Sequence, residues 1–141
     1  MKFSDFTQAG WEENSRFYDT CLLPYTGLTG TESPPETAEV LEKLRDLMDL
    51  IEKPFQGRLV TYPAIQYQTA DSTGYVNEIC RKVKSKGFQY VIVVTAEVSV
   101  AGRQIYESDL VLSLPELKPL DSKGLSDRVR REIQEMWQAE K

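Results

Sequence analysis

Five consecutive residues, Tyr90-Val91-Ile92-Val93-Val94, are aromatic or β-branched, with no polar residue among them. A strand with one wet face alternates apolar and polar side chains, whereas a strand covered on both faces does not. The run therefore calls for a central strand with cover on both sides, and in open sheets that cover is usually helical. Residues Phe88 to Thr95 are read as this strand, after a helix stopped by Gly87.

The flanking patterns supply the other layers. Ser33-Pro34-Pro35-Glu36 carries a capping box with proline in the first turn. Val40, Leu41, Leu44, Leu47, Met48 and Ile51 then recur at helical spacing, with Glu39 and Lys43 paired on the opposite face and Pro54 as the stop. A further helix starts at Ala70-Asp71-Ser72-Thr73, with Tyr75, Val76, Ile79, Cys80 and Val83 inward. The last helix runs from Ser122 to Ala139, with Leu125, Val129, Ile133, Met136 and Trp137 inward. A first helix, capped by Ser4, is expected from Asp5 to Tyr18 on Phe6, Trp11, Phe17 and Tyr18. The remaining strands are read at Asp19 to Pro24, ended by that proline, at Gly57 to Tyr62, closed by Pro63, and at Asp109 to Leu114, stopped by Pro115. Glu97 to Tyr106 fits either a hairpin adding an antiparallel strand or a plain connection.

Strands alternating with helices predict an α/β fold: a three-layer α/β/α sandwich with a mostly parallel, possibly mixed sheet of four or five strands. Right-handed crossovers from a central first strand give the order 2-1-3-4 in sequence numbering. The pattern is similar to the anticodon-binding-like amino-terminal fold of TolB, a likeness of fold that carries no function. The 141 residues suffice for one such core, so residues 1–141 are read as one domain.

Composition removes whole classes of chemistry. The absence of His excludes a Ser-His-Asp triad, a Cys-His pair and a His-ligated zinc. Two Cys make neither a four-thiolate metal site nor a disulfide framework, and Cys21 and Cys80 in apolar patterns read as buried, reduced thiols of a cytoplasmic protein. No secretory signal is visible, and the longest apolar run, Val91 to Val94, is far short of the roughly 20 residues that span a bilayer. With 17 Lys and Arg against 22 Asp and Glu, the net charge of −5 argues against nucleic-acid binding.

In open parallel sheets, ligands bind beyond the carboxyl ends of the strands, where strand order reverses. That point lies between the strands ending near Leu23 and Thr95. Candidate lining residues are Tyr25, Thr26, Gly27, Thr95, Ala96 and Glu97, with Tyr62, Gln66 and Tyr67 from the neighbouring strand. The loop from Thr26 to Glu32 joins a strand to a helix start, as phosphate loops do, but lacks both glycine motifs. No basic residue occurs from Asp19 to Val40, and Glu32, Glu36 and Glu39 would repel an anion. Asp19, Glu97, Glu107 and Asp109 are the carboxylates available for acid–base work, with Glu107 and Asp109 spaced to share a strand face. The last helix interleaves Lys123, Arg128, Arg130 and Arg131 with Asp127, Glu132, Glu135 and Glu140, the pattern of a solvated face or of a docking face.

Several spellings along the chain are not chemical motifs but belong together: Tyr18-Asp19-Thr20 leading into Leu22-Leu23-Pro24; Phe55-Gln56-Gly57-Arg58 opening the strand that ends at Pro63; Gly87-Phe88; Leu114-Pro115 with Pro119 beyond; and Trp137. On these the chain resembles the uncharacterised YpiF-like proteins of Bacillus and related Firmicutes, over nearly its full length. The resemblance implies a Ser-Asp pair after Thr95, where Ala96-Glu97 stands instead, keeping an acid and losing a hydroxyl. It carries over no catalytic residue, cofactor or metal. The genes of that family tend to lie beside those of the menaquinol–cytochrome c reductase, which implies an accessory or assembly role with a protein partner. A non-catalytic interaction protein is thus the leading expectation; a small-molecule or nucleotide-binding protein, or an enzyme, using the crevice is the alternative.

Overall fold

The computed structural model describes residues 1–117 and 121–139, so Pro119 and Glu140 lie outside the described residues. Helices α1 to α5 span Gln8–Asn14, Pro34–Glu52, Ser72–Lys84, Leu114–Leu117 and Ser122–Gln138. Strands β1 to β5 span Thr20–Leu28, Leu59–Thr61, Ile65–Tyr67, Tyr90–Thr95 and Leu110–Ser113. All pairings are parallel, in the order β2-β1-β4-β5, with β3 also paired to β1. This is the expected three-layer α/β arrangement and the expected strand order, with β3 as an addition.

The Tyr90–Thr95 strand is buried along its whole length, as its composition demands. Its side chains divide the core. Ile92 and Val94 join Leu22, Leu44, Leu47, Ile51, Leu112 and Ile133 under α2 and α5. Val91 and Val93 join Cys21, Leu23, Val76, Cys80 and Ile105 on the opposite face, under α3 and the aromatic residues Phe6, Trp11 and Tyr18. The Ser33 capping box forms as expected: its Oγ accepts from the Glu36 N–H at 3.3 Å, and the Glu36 carboxylate accepts from the Ser33 N–H at 3.0 Å. Glu39 and Lys43 pair at 3.3 Å.

Three local readings are corrected, and one open alternative is resolved. The first helix is broken: Thr7, not Ser4, caps a seven-residue α1 flanked by 3-10 turns, and Phe17 lies exposed beneath the Arg16 guanidinium. Pro24 does not end its strand. The Leu22 carbonyl accepts from the Tyr62 N–H, so Pro24, two residues on, presents its donorless nitrogen to the same side. That side is the break between β2 and β3, where no ladder bond is missing. Residues 97–106 form no hairpin among the described residues. They run over the sheet as an irregular crossover, with Val100 and Ile105 buried in place of a helix, and Asn77 of α3 donating to the Gln104 carbonyl at 3.0 Å. Tyr75 is not inward but 51% exposed, because it flanks the narrow stripe of Val76 and Cys80.

At the amino ends of the strands, residues distant in sequence close on one another. Asp19 accepts from Arg58 through both carboxylate oxygens at 2.8 and 3.0 Å. The Arg58 guanidinium lies 4.0 Å from the Trp137 ring centroid, Phe55 meets that ring edge-on at 4.9 Å, and the indole N–H donates to Thr20 Oγ1 at 2.9 Å. The end of α5 is thereby fixed to β1, and Asp19, Phe55, Arg58 and Trp137, scattered along the sequence, share one structural task. The outer edge of β2 is covered as well. The Thr61 N–H donates to the Met1 carbonyl at 2.9 Å, and Lys2 pairs with Glu52 at 2.7 Å.

Candidate functional site

The topology places the carboxyl ends of β1 and β4 side by side, with β3 on the other flank of β1. Tyr25, Thr26, Thr95 and Ala96 are brought together there, all buried. The two threonine hydroxyls are engaged within the chain. Thr26 Oγ1 donates to the Gln66 carbonyl and accepts from the Leu28 N–H at 3.3 Å, while Thr95 Oγ1 accepts from the Val98 N–H at 3.4 Å. Gly27 has φ +74°, and a Cβ there would stand 2.5 Å from Val98 Cγ2. The Gly27 carbonyl accepts from Gln68 Nε2 at 2.6 Å. The backbone can therefore pass this close to the crossover only as glycine. Glu97 is exposed, with its Cβ 3.4 Å from where a Cβ on Gly27 would stand.

The remaining candidates, Tyr62, Gln66 and Tyr67, line a cleft of about 710 Å³ between β3 and the first turns of α3. Leu23, Ile65 and Ile79 contribute apolar lining, and Tyr62, Tyr67 and Tyr75 contribute three phenol rings. Tyr67 is 57% exposed, whereas Tyr62 is part-buried, and burial pushes its phenol above the ordinary tyrosine range. Asp71 is the one charged lining residue. It stands at the N-cap of α3, but its carboxylate makes no capping hydrogen bond; Ser72 Oγ instead accepts from the Thr69 N–H at 2.6 Å. Pro63 and Ala64 separate this cleft from a smaller one, about 350 Å³, on the α2 side of the sheet, which Thr26 and Tyr62 also line. There the buried Glu52 carboxylate accepts from Lys2 Nζ and from Thr61 Oγ1, the latter at 2.6 Å.

Sequence reasoning missed both β3 and the aromatic cleft. The signal lay in Ile65-Gln66-Tyr67, a three-residue alternation between Pro63 and the polar Gln68-Thr69, too short to read as a strand.

Glu107 and Asp109 lie ahead of β5 and share no strand face. Asp19 is committed to Arg58, and Asp109 to Lys84 at 3.1 Å and to the Val91 N–H at 2.9 Å. The Glu107 N–H donates to Asn77 Oδ1 at 3.0 Å, tying that residue to α3. In the loop before α2, the Glu32 carboxylate accepts from the Thr29 and Gly30 N–H groups at 2.9 and 3.0 Å. Those bonds, led by the one from Thr29, hold its carboxyl below the usual range. The donors that a phosphate would seek are thus occupied by a side chain of the loop itself. Cys21 and Cys80 are fully buried and unbridged. Among the described residues no three His, Cys, Asp or Glu converge as metal ligands, and no helix is long and apolar enough to cross a membrane.

Residues 9–138 match the family described as protein of unknown function, DUF2487. No curated protein and no solved structure matches the chain.

Proposed function

The chain belongs to the DUF2487 family, and we propose that it is a non-catalytic accessory protein that binds a protein partner along the outer edge of β3. The observation that carries this reading is the pairing of an open strand edge with an aromatic cleft. β3 is paired only to β1 among the described residues, and exposed Tyr67 and Tyr75 stand beside it. An edge strand offers unpaired main-chain groups to an added segment, and adjacent pockets take its alternate side chains. The commitment of Asp19 and Asp109 to Arg58 and Lys84 supports a binding role over acid–base chemistry.

The resemblance to the YpiF-like proteins of Bacillus and related Firmicutes directs the choice of partner to the menaquinol–cytochrome c reductase, met from the cytoplasmic side. The test is capture of the purified reductase by this protein and by a Tyr67→Lys variant, which puts a charge on the edge without touching the core. Capture by the parent chain and its loss in the variant support the reading; equal capture by both, or by neither, overturns it.

A second reading rests on the size of the cleft. Its volume of about 710 Å³ falls within the roughly 300–1,000 Å³ of small-molecule sites. A thermal-shift screen against nucleotides, flavins and quinone analogues separates the two. A ligand at about 100 times its dissociation constant adds about 2.7 kcal/mol, and such a shift with one ligand class favours this second reading.

A further inference from the structure

We infer that the cleft beside β3 recognises a basic segment of its partner, with an arginine or lysine side chain seated between the tyrosine rings and Asp71; this rests on the reading of that cleft as a partner surface. The argument is one of charge and ring chemistry. Of the cleft's lining residues, none is cationic and only Asp71 is charged. No salt bridge or capping bond engages the Asp71 carboxylate among the described residues, although a residue at an N-cap is well placed to make one. Three phenol rings share the cleft with it, and the rings of Tyr67 and Tyr75 stack on no other aromatic among the described residues, which leaves their faces available. Aromatic faces attract ammonium and guanidinium groups through the ring quadrupole, the more so when water is displaced. A carboxylate at the rim adds a direct partner for the same cation, and a guanidinium satisfies both at once, one flat side to a ring and its edge to the carboxylate. The net charge of −5 favours approach of a basic segment over an acidic one. An extended segment lying along β3 would direct every second side chain toward the cleft.

The test is a two-dimensional NMR titration of the full chain with three probes. These are a capped Val-Arg-Val-Arg-Val peptide, the same peptide with citrulline for arginine, and tetramethylammonium. Citrulline keeps the shape and hydrogen-bonding edge of arginine but not its charge. The expected result is saturable shifts at residues 62–79 with the arginine peptide, binding about tenfold weaker for the citrulline peptide, the loss of roughly 1.4 kcal/mol, and a similar weakening in Asp71→Asn and Tyr75→Leu. Both variants alter exposed side chains, so their spectra outside the cleft should keep the parent dispersion. Equal binding of arginine and citrulline peptides would overturn the cation inference while leaving the edge-binding reading intact. Tetramethylammonium binding as tightly as the arginine peptide would make a free small ammonium the occupant and overturn the choice of a protein segment. No shift with any probe, while the reductase is still captured through Tyr67, would overturn this inference alone; loss of both would overturn the parent reading too.

Discussion

Replacing Trp137 by Ala should destabilise the whole protein, although the residue stands in the last turn of the last helix. Helix ends usually fray, and a substitution there usually costs little. The structure assigns three separate contacts to this one side chain: the edge-on ring of Phe55, the Arg58 guanidinium over its face, and the hydrogen bond to buried Thr20. An edge-to-face pair contributes about 0.5–1.5 kcal/mol. The cation contact contributes about 0.5–1 kcal/mol at a partly exposed site, and the Arg58 side chain is 39% exposed. The hydrogen bond contributes about 0.5–1.5 kcal/mol net. These share partners and do not add strictly, and burial of the ring contributes besides. A loss of about 3 kcal/mol is therefore expected, at the lower end of Trp→Ala changes, or a fall in Tm of roughly 10 °C for a chain of this size. Trp137→Phe keeps one aromatic ring but loses the indole N–H and the smaller ring, so it should cost at least about 1 kcal/mol and less than Trp137→Ala. Deleting everything from Met136 onward also removes a buried methionine and should cost more than Trp137→Ala. Urea denaturation followed by circular dichroism measures all three. A midpoint for Trp137→Ala equal to that of the parent would refute the reasoning, and would mean that the end of α5 stands away from β1 in solution.

Leu44→Ala should cost about 2–5 kcal/mol, because Leu44 lies on the buried face of α2, whereas Lys43→Ala on the exposed face should cost under about 0.5 kcal/mol; denaturant midpoints compare them directly. Gly27→Ala forces a left-handed conformation worth about 1–2 kcal/mol and a clash with Val98, so Val98→Ala in the same chain should restore part of the lost stability. Cys21 and Cys80 should react slowly with a disulfide reagent until the protein unfolds. Burial raises both thiols, Cys80 to about 12, with Cys21 raised further. Since the folded values exceed the unfolded ones, the unfolded chain releases thiol protons first. Stability from this source should hold below about pH 8.5 and fall as the pH rises above it, a decline that Cys80→Ala should lessen in a melt-versus-pH series.

The strand order was legible because its cause is local. An unbroken β-branched strand, three prolines after short apolar runs and one capping box are all written within a few residues of where they act. Pro24 shows where that stops. Its reading as a terminator is sound for an isolated strand, yet the chain continues because the partner side has a gap at the same level, between Thr61 and Ile65, where Pro63 stands 39 residues away in sequence. The segment after Thr95 stays open between hairpin and connection for a related reason: the alternation of Val98 and Val100 is the same whether the residues pair as a strand or lie on a sheet as loose cover. For the site, the topological rule brought Tyr25, Thr26, Gly27 and Thr95 to one place, but whether such a place is open depends on the bulk of Val98 and the reach of Gln68. The cleft depends instead on Tyr75, whose position at the margin of a helical stripe left its direction to tertiary packing.

The hydrogen bond from Trp137 to Thr20 spans 117 residues, and it has a kinetic consequence. β1 has its neighbours β2 and β4 from residues 59–61 and 90–95, and the seal over its first residue comes from residue 137. During synthesis, then, the buried nine-residue strand from Thr20 to Leu28 waits with no complete set of partners until those residues have been made. Distant parallel pairings form slowly, because loop closure must precede their reward. A nascent chain of this protein should accordingly remain unstructured until residue 137 has been made, and then fold in one late step, which leaves Leu22, Leu23 and Tyr25 exposed to chaperones for the longest time.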